Sequence, residues 1–321
     1  EYTNYMFRVA GRYIEVYSEQ PITVSYVGIL PQLYPTKRAT APRLSEEDMR
    51  IYELCAKTLE LCMMEHYVDT PWREQCLYAF DSRNQMLCGY YAFGEYKFPR
   101  ACLKIMCEDR RDDGMLSITY PGASGLVIPS FGLHFYTVAR EYGDYSEDWD
   151  FVREIFPKLE RVLEAFKKQM REGEKLINLF GPAEYWNFYE WSKGLSAVIG
   201  KVDEEIPDLV INTLFSIALQ NMQYICDKLG IENGRCYATL ANEVNAAIND
   251  TFFNQENSLY GMFDSEGGYS ELGNSLAILC GAAKGREKEL AQRILCDGSL
   301  TKISLSMLCF KYDAWLMTDK E

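Results

Sequence analysis

Three carboxylates, Asp69, Glu74 and Asp81, fall within the stretch HYVDTPWREQCLYAFDS (66–82), among aromatic rings and beside Arg73. Carboxyl groups with unequal proton affinities are what acetal cleavage requires: one holds a proton for the leaving oxygen while the others stay ionised. Thr70 followed by Pro71 predicts a helix start, because proline at the first helical position lacks only an N–H that the helix end leaves unbonded. On a regular helix from 71, Glu74, Tyr78 and Asp81 follow at spacings of four and three and share one face, opposite Leu77 and Phe80. Arg73 would then hold one carboxylate ionised while a neighbour stays protonated, and several acceptors would converge on a hydroxyl-rich ligand. Acidic residues also gather at helix starts simply because they face the positive end of the dipole. Spacing alone therefore leaves a binding cup and an ordinary helix start both open.

The remaining inventory narrows the chemistry. With two histidines and no CxxC pair, the chain offers neither a His/Cys metal centre nor a histidine-based triad, and no cofactor is expected. Acidic residues outnumber basic ones by 47 to 33, a net charge of −14 that repels phosphate backbones and anionic lipid, so neither nucleic acid nor membrane is an expected partner. No apolar run approaches the ~18 residues of a membrane span, and the first thirty residues carry no signal-peptide pattern. The eleven cysteines include Cys55, Cys62, Cys88, Cys102, Cys226 and Cys280 within apolar helical patterns. They read as small buried hydrophobes in a reducing, cytoplasmic compartment. Nothing in the chain reports on its oligomeric state.

Two kinds of element must position the cluster. Residues 1–42 form one division: RYIEVYS (12–18) and ITVSYVGIL (22–30) are β-branched and tyrosine-rich, separated by EQP, and predict a two-stranded hairpin left over from a larger sheet. From 43 to 321 the period becomes helical. Ser45 with Asp48 three positions later is a capping-box pattern opening the first helix, which reads on towards Tyr67. Further helices are predicted near 74–93, 98–110, 129–142, 147–171, 205–229, 236–251, 269–282, 286–297 and 301–317, with GPAEYW, NQENSLYG and DSEGG as loops. About ten helices with alternating short and long connections suit helical hairpins arranged around an axis, or else an irregular bundle.

Read in order, Asp69, Thr70, Pro71, Trp72, Arg73, Glu74 and then Asp81 resemble the signature of the α-L-rhamnosidases, glycoside hydrolase family 78. That signature runs Asp, Cys or Thr, Pro, any residue, Arg and Glu, with an aspartate seven positions beyond. RYIEVY and ITVSYVG look like the end of the β-sandwich preceding the family's catalytic domain, while YYAFGEY, VIPSFGLHF, EYGDY and YWNFYEW look like later blocks of its barrel. The resemblance implies a mainly α fold, an (α/α)6 toroid of the six-hairpin glycosidase type, incomplete at its C-terminus. It implies hydrolysis of terminal α-L-rhamnosides with inversion, Glu74 as general acid, and Asp69 and Asp81 gripping sugar hydroxyls. Inversion needs a second carboxyl about 6.5–9.5 Å away to activate water.

The pattern departs from the family in two places. No general base is evident in the chain, and the resemblance puts it beyond Glu321, so a carbohydrate-binding or structural fragment without chemistry is the alternative reading. VIPSFGL places Ser130 where relatives often carry aspartate. Glu190 in YWNFYEW is assigned to sugar binding or to the wall of the site. Trp72, Tyr78, Trp186 and Trp191 are candidate walls against sugar C–H faces, although aromatic side chains fill helical cores by default. EDRRDDG (108–114) reads as a solvated helix terminus, DSEGGYSE (264–271) as a turn, and GAAKGREKE (281–289) lacks phosphate-loop spacing.

Overall fold

The computed structural model describes residues 8–122, 124–170, 173–196, 206–232, 234–263 and 268–318. The chain divides between Cys102 and Leu103 into two compact units.

In the first unit, residues 8–45 form no strand. The two segments expected to pair as a hairpin run as irregular chain, with Tyr13, Tyr17, Tyr26 and Leu30 in solvent. A two-stranded ribbon alone buries too little apolar surface to hold its register, and no third strand stands beside it among the described residues of this unit. The segment is instead tied by single bonds, Tyr34 N–H to the Met63 carbonyl (2.8 Å) and Ala39 N–H to the Ala92 carbonyl (2.9 Å). Helix α1 (Glu46–Leu61) begins as predicted: the Ser45 hydroxyl accepts from Asp48 N–H and donates to the Asp48 carboxylate. It stops at Leu61, and Met63 pairs with Tyr67 in an antiparallel bridge. Helix α2 (Ala79–Phe93) ends at Gly94, whose φ of 60° is the left-handed turn that glycine adopts without strain. Helix α3 (Lys97–Cys107) starts where the Glu95 carboxylate accepts from Lys97 N–H and Phe98 N–H, and it carries the boundary between the units.

The second unit contains α4 (Pro129–Ser146), α5 (Trp149–Lys167), α6 (Leu209–Leu229), α7 (Gly234–Phe252), a short hairpin of β1 (Phe253–Asn254) with β2 (Leu259–Tyr260), α8 (Glu271–Leu279), α9 (Glu287–Cys296) and α10 (Leu308–Thr318). Helices α4, α6, α8 and α10 pack in succession, while α5 packs on α4 and α6, α7 on α6, and α9 on α8 and α10. Inner and outer helices differ in sequence for that reason. Helix α6 is buried around nearly its whole girth, whereas α5 hides a stripe of Phe151, Ile155, Leu159, Val162 and Phe166 and turns its charges outward.

Helices α6 and α8 share a device at their starts. Asp208 caps α6 by accepting from Val210 N–H and Ile211 N–H, and Asn212, one turn on, holds both the N–H (2.8 Å) and the carbonyl (2.9 Å) of Ile177. Ser270 caps α8, and Asn274, again one turn on, holds the N–H (2.9 Å) and carbonyl (3.1 Å) of Tyr260. Each asparagine thereby pairs a buried backbone N–H and carbonyl on a neighbouring segment.

Several boundaries differ from expectation for local reasons. The helix expected from 301 begins at Leu308, because 301–304 is bonded elsewhere. NQENSLYG, expected as plain loop, contributes to the β1–β2 hairpin. The expected start at 205, the expected end at 171 and residues 264–267 of DSEGGYSE lie outside the described residues. Cys62, Cys102, Cys226 and Cys280 are buried as expected, but Cys55 and Cys88 lie on the exposed faces of their helices. EDRRDDG is a solvated helix end only in part: Glu108, Arg110 and Asp112 are exposed, whereas Asp113 pairs with Arg111 (2.7 Å) and accepts from the Tyr185 hydroxyl (2.9 Å), and Asp109 holds Ser117 N–H (2.8 Å).

Replacing Asn212 or Asn274 by leucine leaves a buried N–H and carbonyl unpaired, and each change is expected to lower stability by about 2–4 kcal/mol. Urea unfolding measures this, and a loss below about 1 kcal/mol would contradict the role given to these amides.

Candidate active site

The carboxylate cluster is built by a loop, not by the helix that its spacing predicts. The Thr70 hydroxyl does accept from Trp72 N–H and Arg73 N–H (both 3.2 Å), so the cap forms. The turn it starts runs only through Glu74. Gln75 then takes a left-handed φ of 52°, and its side chain donates back to the Pro71 carbonyl (2.8 Å). Asp69 closes the neck of this loop: its N–H donates to the Cys76 carbonyl (3.0 Å), and its Oδ1 accepts from Cys76 N–H (2.9 Å). Leu77 is fully buried, Tyr78 stands just before α2, and Asp81 lies in its first turn. Glu74 and Asp81 therefore share no helical face. A closed loop and the next helix start bring them near one another.

The structure gathers Asp69, Glu74, Tyr78 and Asp81. Glu74 is solvent-accessible and accepts from the Tyr78 hydroxyl at 2.7 Å. Burial raises the Tyr78 phenol, and the Glu74 carboxylate raises it further, so it remains a donor. Burial also raises Asp69, against the N–H groups it accepts from, and Glu74 adds to that rise. Asp81 is pushed up to about 6, first by burial and then by the charges of Asp69 and Glu74. The carboxyl that keeps a proton into the weakly acidic range is thus Asp81. Arg73 does not supply the expected counter-charge: the turn carries it into solvent, with no carboxylate in ion-pair reach among the described residues. Trp72 leaves by the same turn and is 71% exposed.

In the second unit, Trp186, Phe188 and Trp191 form one aromatic group, with Trp186 and Trp191 edge to face at 5.7 Å and Phe188 4.8 Å from Trp191. Trp191 is 76% exposed and offers a ring to solvent. Phe188 is not among the residues expected from the sequence, though its place between the two tryptophans in YWNFYEW is the signal. The same segment fixes its own floor: Ser130, buried at the start of α4, donates to the Phe188 carbonyl (2.5 Å). Glu190 is buried, and its Oε2 accepts from Ser304 N–H at 2.6 Å. Of the two roles expected for it, that geometry serves the wall. Burial raises the Glu190 carboxyl, partly offset by Ser304.

Glu271, which the sequence reading missed, anchors the same stretch. It accepts from Ile303 N–H and pairs with Lys302 (2.9 Å) and Lys311 (2.8 Å). Burial opposes its ionisation, yet the two ammonium groups hold it below the ordinary glutamate range. Its position as a first-turn acid after Ser270 resembled an ordinary capped start, which concealed it.

Successive inner helices backed by outer ones, with acidic and aromatic residues in the connections, define the class: a six-hairpin glycosidase fold. Residues 45–301 match the family model described as the bacterial alpha-L-rhamnosidase 6 hairpin glycosidase domain, and the chain belongs to that family. A solved glycoside hydrolase family 78 rhamnosidase of Bacillus sp. GL1 is 25% identical with a TM-score of 0.78, over 88% of this chain and 30% of that one. The rhamnosidase of Klebsiella oxytoca, solved with rhamnose bound, is 19% identical with a TM-score of 0.74, over 88% of this chain and 53% of that one. A glycoside hydrolase family 63 mannosylglycerate hydrolase of Thermus thermophilus shares the fold at a TM-score of 0.61 and 12% identity, over 83% of this chain and 87% of that one. This chain thus spans less than two thirds of the length of either rhamnosidase. A comparison with curated proteins found no match.

Because Asp81 rises from 3.8 to about 6 on folding, the folded chain retains a proton there that the unfolded chain has released, and stability falls as pH rises across that window. Asp81→Asn is therefore expected to be more stable than the parent above pH 6 by about 1–3 kcal/mol, with the gap closing below about pH 4. Urea midpoints at both pH values test this. A variant equally or less stable at neutral pH would contradict the crowding of charge at Asp81.

Proposed function

We propose that the chain is the acid-bearing part of a glycoside hydrolase that removes terminal α-L-rhamnosyl groups with inversion. Family membership supports hydrolysis of a glycoside, and the rhamnose bound to the Klebsiella oxytoca relative supports the sugar. The observation that carries the reading is the solvent-facing Glu74 carboxyl, held by the Tyr78 hydroxyl at 2.7 Å and flanked by Asp69 and Asp81.

In this mechanism Glu74 donates its proton to the glycosidic oxygen as the C–O bond breaks, and water attacks the anomeric carbon from the opposite face, passing its own proton to a second carboxylate that is not assigned among the described residues. Tyr78 fixes the rotamer of Glu74, leaving the second carboxyl oxygen for the leaving group. Asp69 and Asp81 accept from ring hydroxyls. Desolvation by the bound sugar strengthens those bonds, and a proton retained at Asp81 limits the repulsion among three acids. Trp72 and Trp191 are walls for sugar or aglycone, each within its own unit. Glu190 and Glu271 are not assigned to water activation, since both are buried and engaged with backbone or lysine. Substrate is a carbohydrate only, without metal or cofactor in the proposed step.

A second reading, binding without turnover, rests on the lack of an assigned base. Glu74→Gln separates the two. Under the first reading it lowers hydrolysis of an aryl α-L-rhamnoside by about 10³-fold while calorimetry shows rhamnose affinity within about threefold of the parent. Rhamnose binding by a parent chain that hydrolyses nothing would favour the second. Turnover by Glu74→Gln at the parent rate would remove Glu74 from the chemistry.

A further inference from the structure

The second unit has an open polar cleft of about 710 Å³ where α7, the β1–β2 hairpin and the turn before α9 meet. Its fixed point is Arg286. The guanidinium lies over the Phe253 ring, 4.0 Å from centroid, and its Nη2 donates to Asn249 Oδ1 (2.6 Å) and to the Tyr260 hydroxyl (2.9 Å). Its Nε is buried without a hydrogen-bond partner, which leaves Nη1 as the group able to meet a ligand. A cation locked by stacking and two bonds loses little entropy when a ligand arrives. Asn249 is engaged in turn, its amide donating to the Asn245 and Ala282 carbonyls, so it belongs to the frame.

Around this cation, the cleft presents groups without ion-pair or hydrogen-bond partners among the described residues: the Lys284 ammonium, the Asp250 carboxylate, and the Asn242 and Gln255 amides. Two cations and one anion line the cleft, and the Glu287 carboxylate, which accepts from Gly285 N–H, lies beside it. Two amides and a carboxylate add paired donors and acceptors at short spacing, the complement of vicinal hydroxyls. A simple anion would use only the cations, and a neutral sugar would leave them unmatched.

We propose that this cleft is an accessory binding site for an acidic sugar, a hexuronate whose carboxylate meets Arg286 and Lys284 while its hydroxyls meet Asp250, Asn242 and Gln255. None of these residues takes part in the hydrolysis proposed above, so the site stands or falls independently of Glu74.

Titration of the chain with D-galacturonate, D-galactose and inorganic phosphate, followed by calorimetry and by the arginine Nε–H signals in a heteronuclear NMR spectrum, tests this. Galacturonate is expected to bind at least about tenfold more tightly than galactose or phosphate and to move the Arg286 signal. Lys284→Ala and Asp250→Asn lie on exposed positions and are expected to keep the parent Tm and aryl-rhamnoside rate while weakening galacturonate at least about fivefold. Phosphate binding as tight as galacturonate would make this a plain anion site and overturn the proposal. Galactose binding as tight, no detectable galacturonate binding, or unchanged affinity in both variants would overturn it equally.

Discussion

A helical fold carries its site on long connections, and a buried amide in a connection must find its partner outside any helix. That constraint governs this chain. Besides backbone bonds such as Leu179 N–H to the Ile206 carbonyl, polar side chains hold the backbone of these segments: Asp69 with Cys76, Asn212 with Ile177, Asn274 with Tyr260, Glu190 with Ser304, Glu271 with Ile303 and Asp109 with Ser117. Each bond contributes only about 1 kcal/mol net, but a missing partner leaves a desolvated N–H that costs more, so the constraint selects one loop path over its competitors. The carboxylates and amides that look catalytic in a sequence are drawn from the same residue types as those that hold the walls. Asp69 belongs to both groups under the proposed function, in which one oxygen is fixed by Cys76 and the other meets a sugar hydroxyl.

That double employment explains the electrostatics of the cup. Asp69, Glu74 and Asp81 stand together, and the turn that orients Glu74 carries Arg73 into solvent instead of against them. Like charges in partly desolvated positions relieve their repulsion by keeping a proton, and the proton rests where burial is deepest, at Asp81. The second unit solves the same problem differently. Glu271 stays ionised because Lys302 and Lys311 surround it. A paired carboxylate makes good framework and a poor acid or base, whereas an unpaired one is expensive to bury and chemically available.

These contrasts show what sequence could reveal. Helical periods gave the succession of α4 to α9, and Ser45 with Asp48 gave the start of α1, because capping and amphipathicity are local. The motif from Asp69 to Asp81 located the cluster but suggested the wrong geometry. Thr70 and Pro71 do initiate a turn, yet nothing local signals that Gln75 leaves the helical region, since the cause is the Asp69–Cys76 closure seven residues apart. The β-prone segments at 12–18 and 22–30 failed for a related reason: strand propensity is realised only against a neighbour. Glu190 and Glu271 find partners more than thirty residues away, beyond the reach of any spacing rule.

The departure from a regular helix matters for the chemistry proposed. On one helical face, Glu74 would sit one turn below Tyr78 and nearly two below Asp81, with its side chain leaning along the helix surface towards the N-terminus. In the closed loop, the neck bonds of Asp69 and the left-handed Gln75 lift Glu74 into solvent while the Tyr78 hydroxyl still reaches it. An acid that must meet a glycosidic oxygen needs this combination of a held rotamer and an open side. Under the proposed function, the break after Glu74 is therefore the structural step that gives the acid its open side.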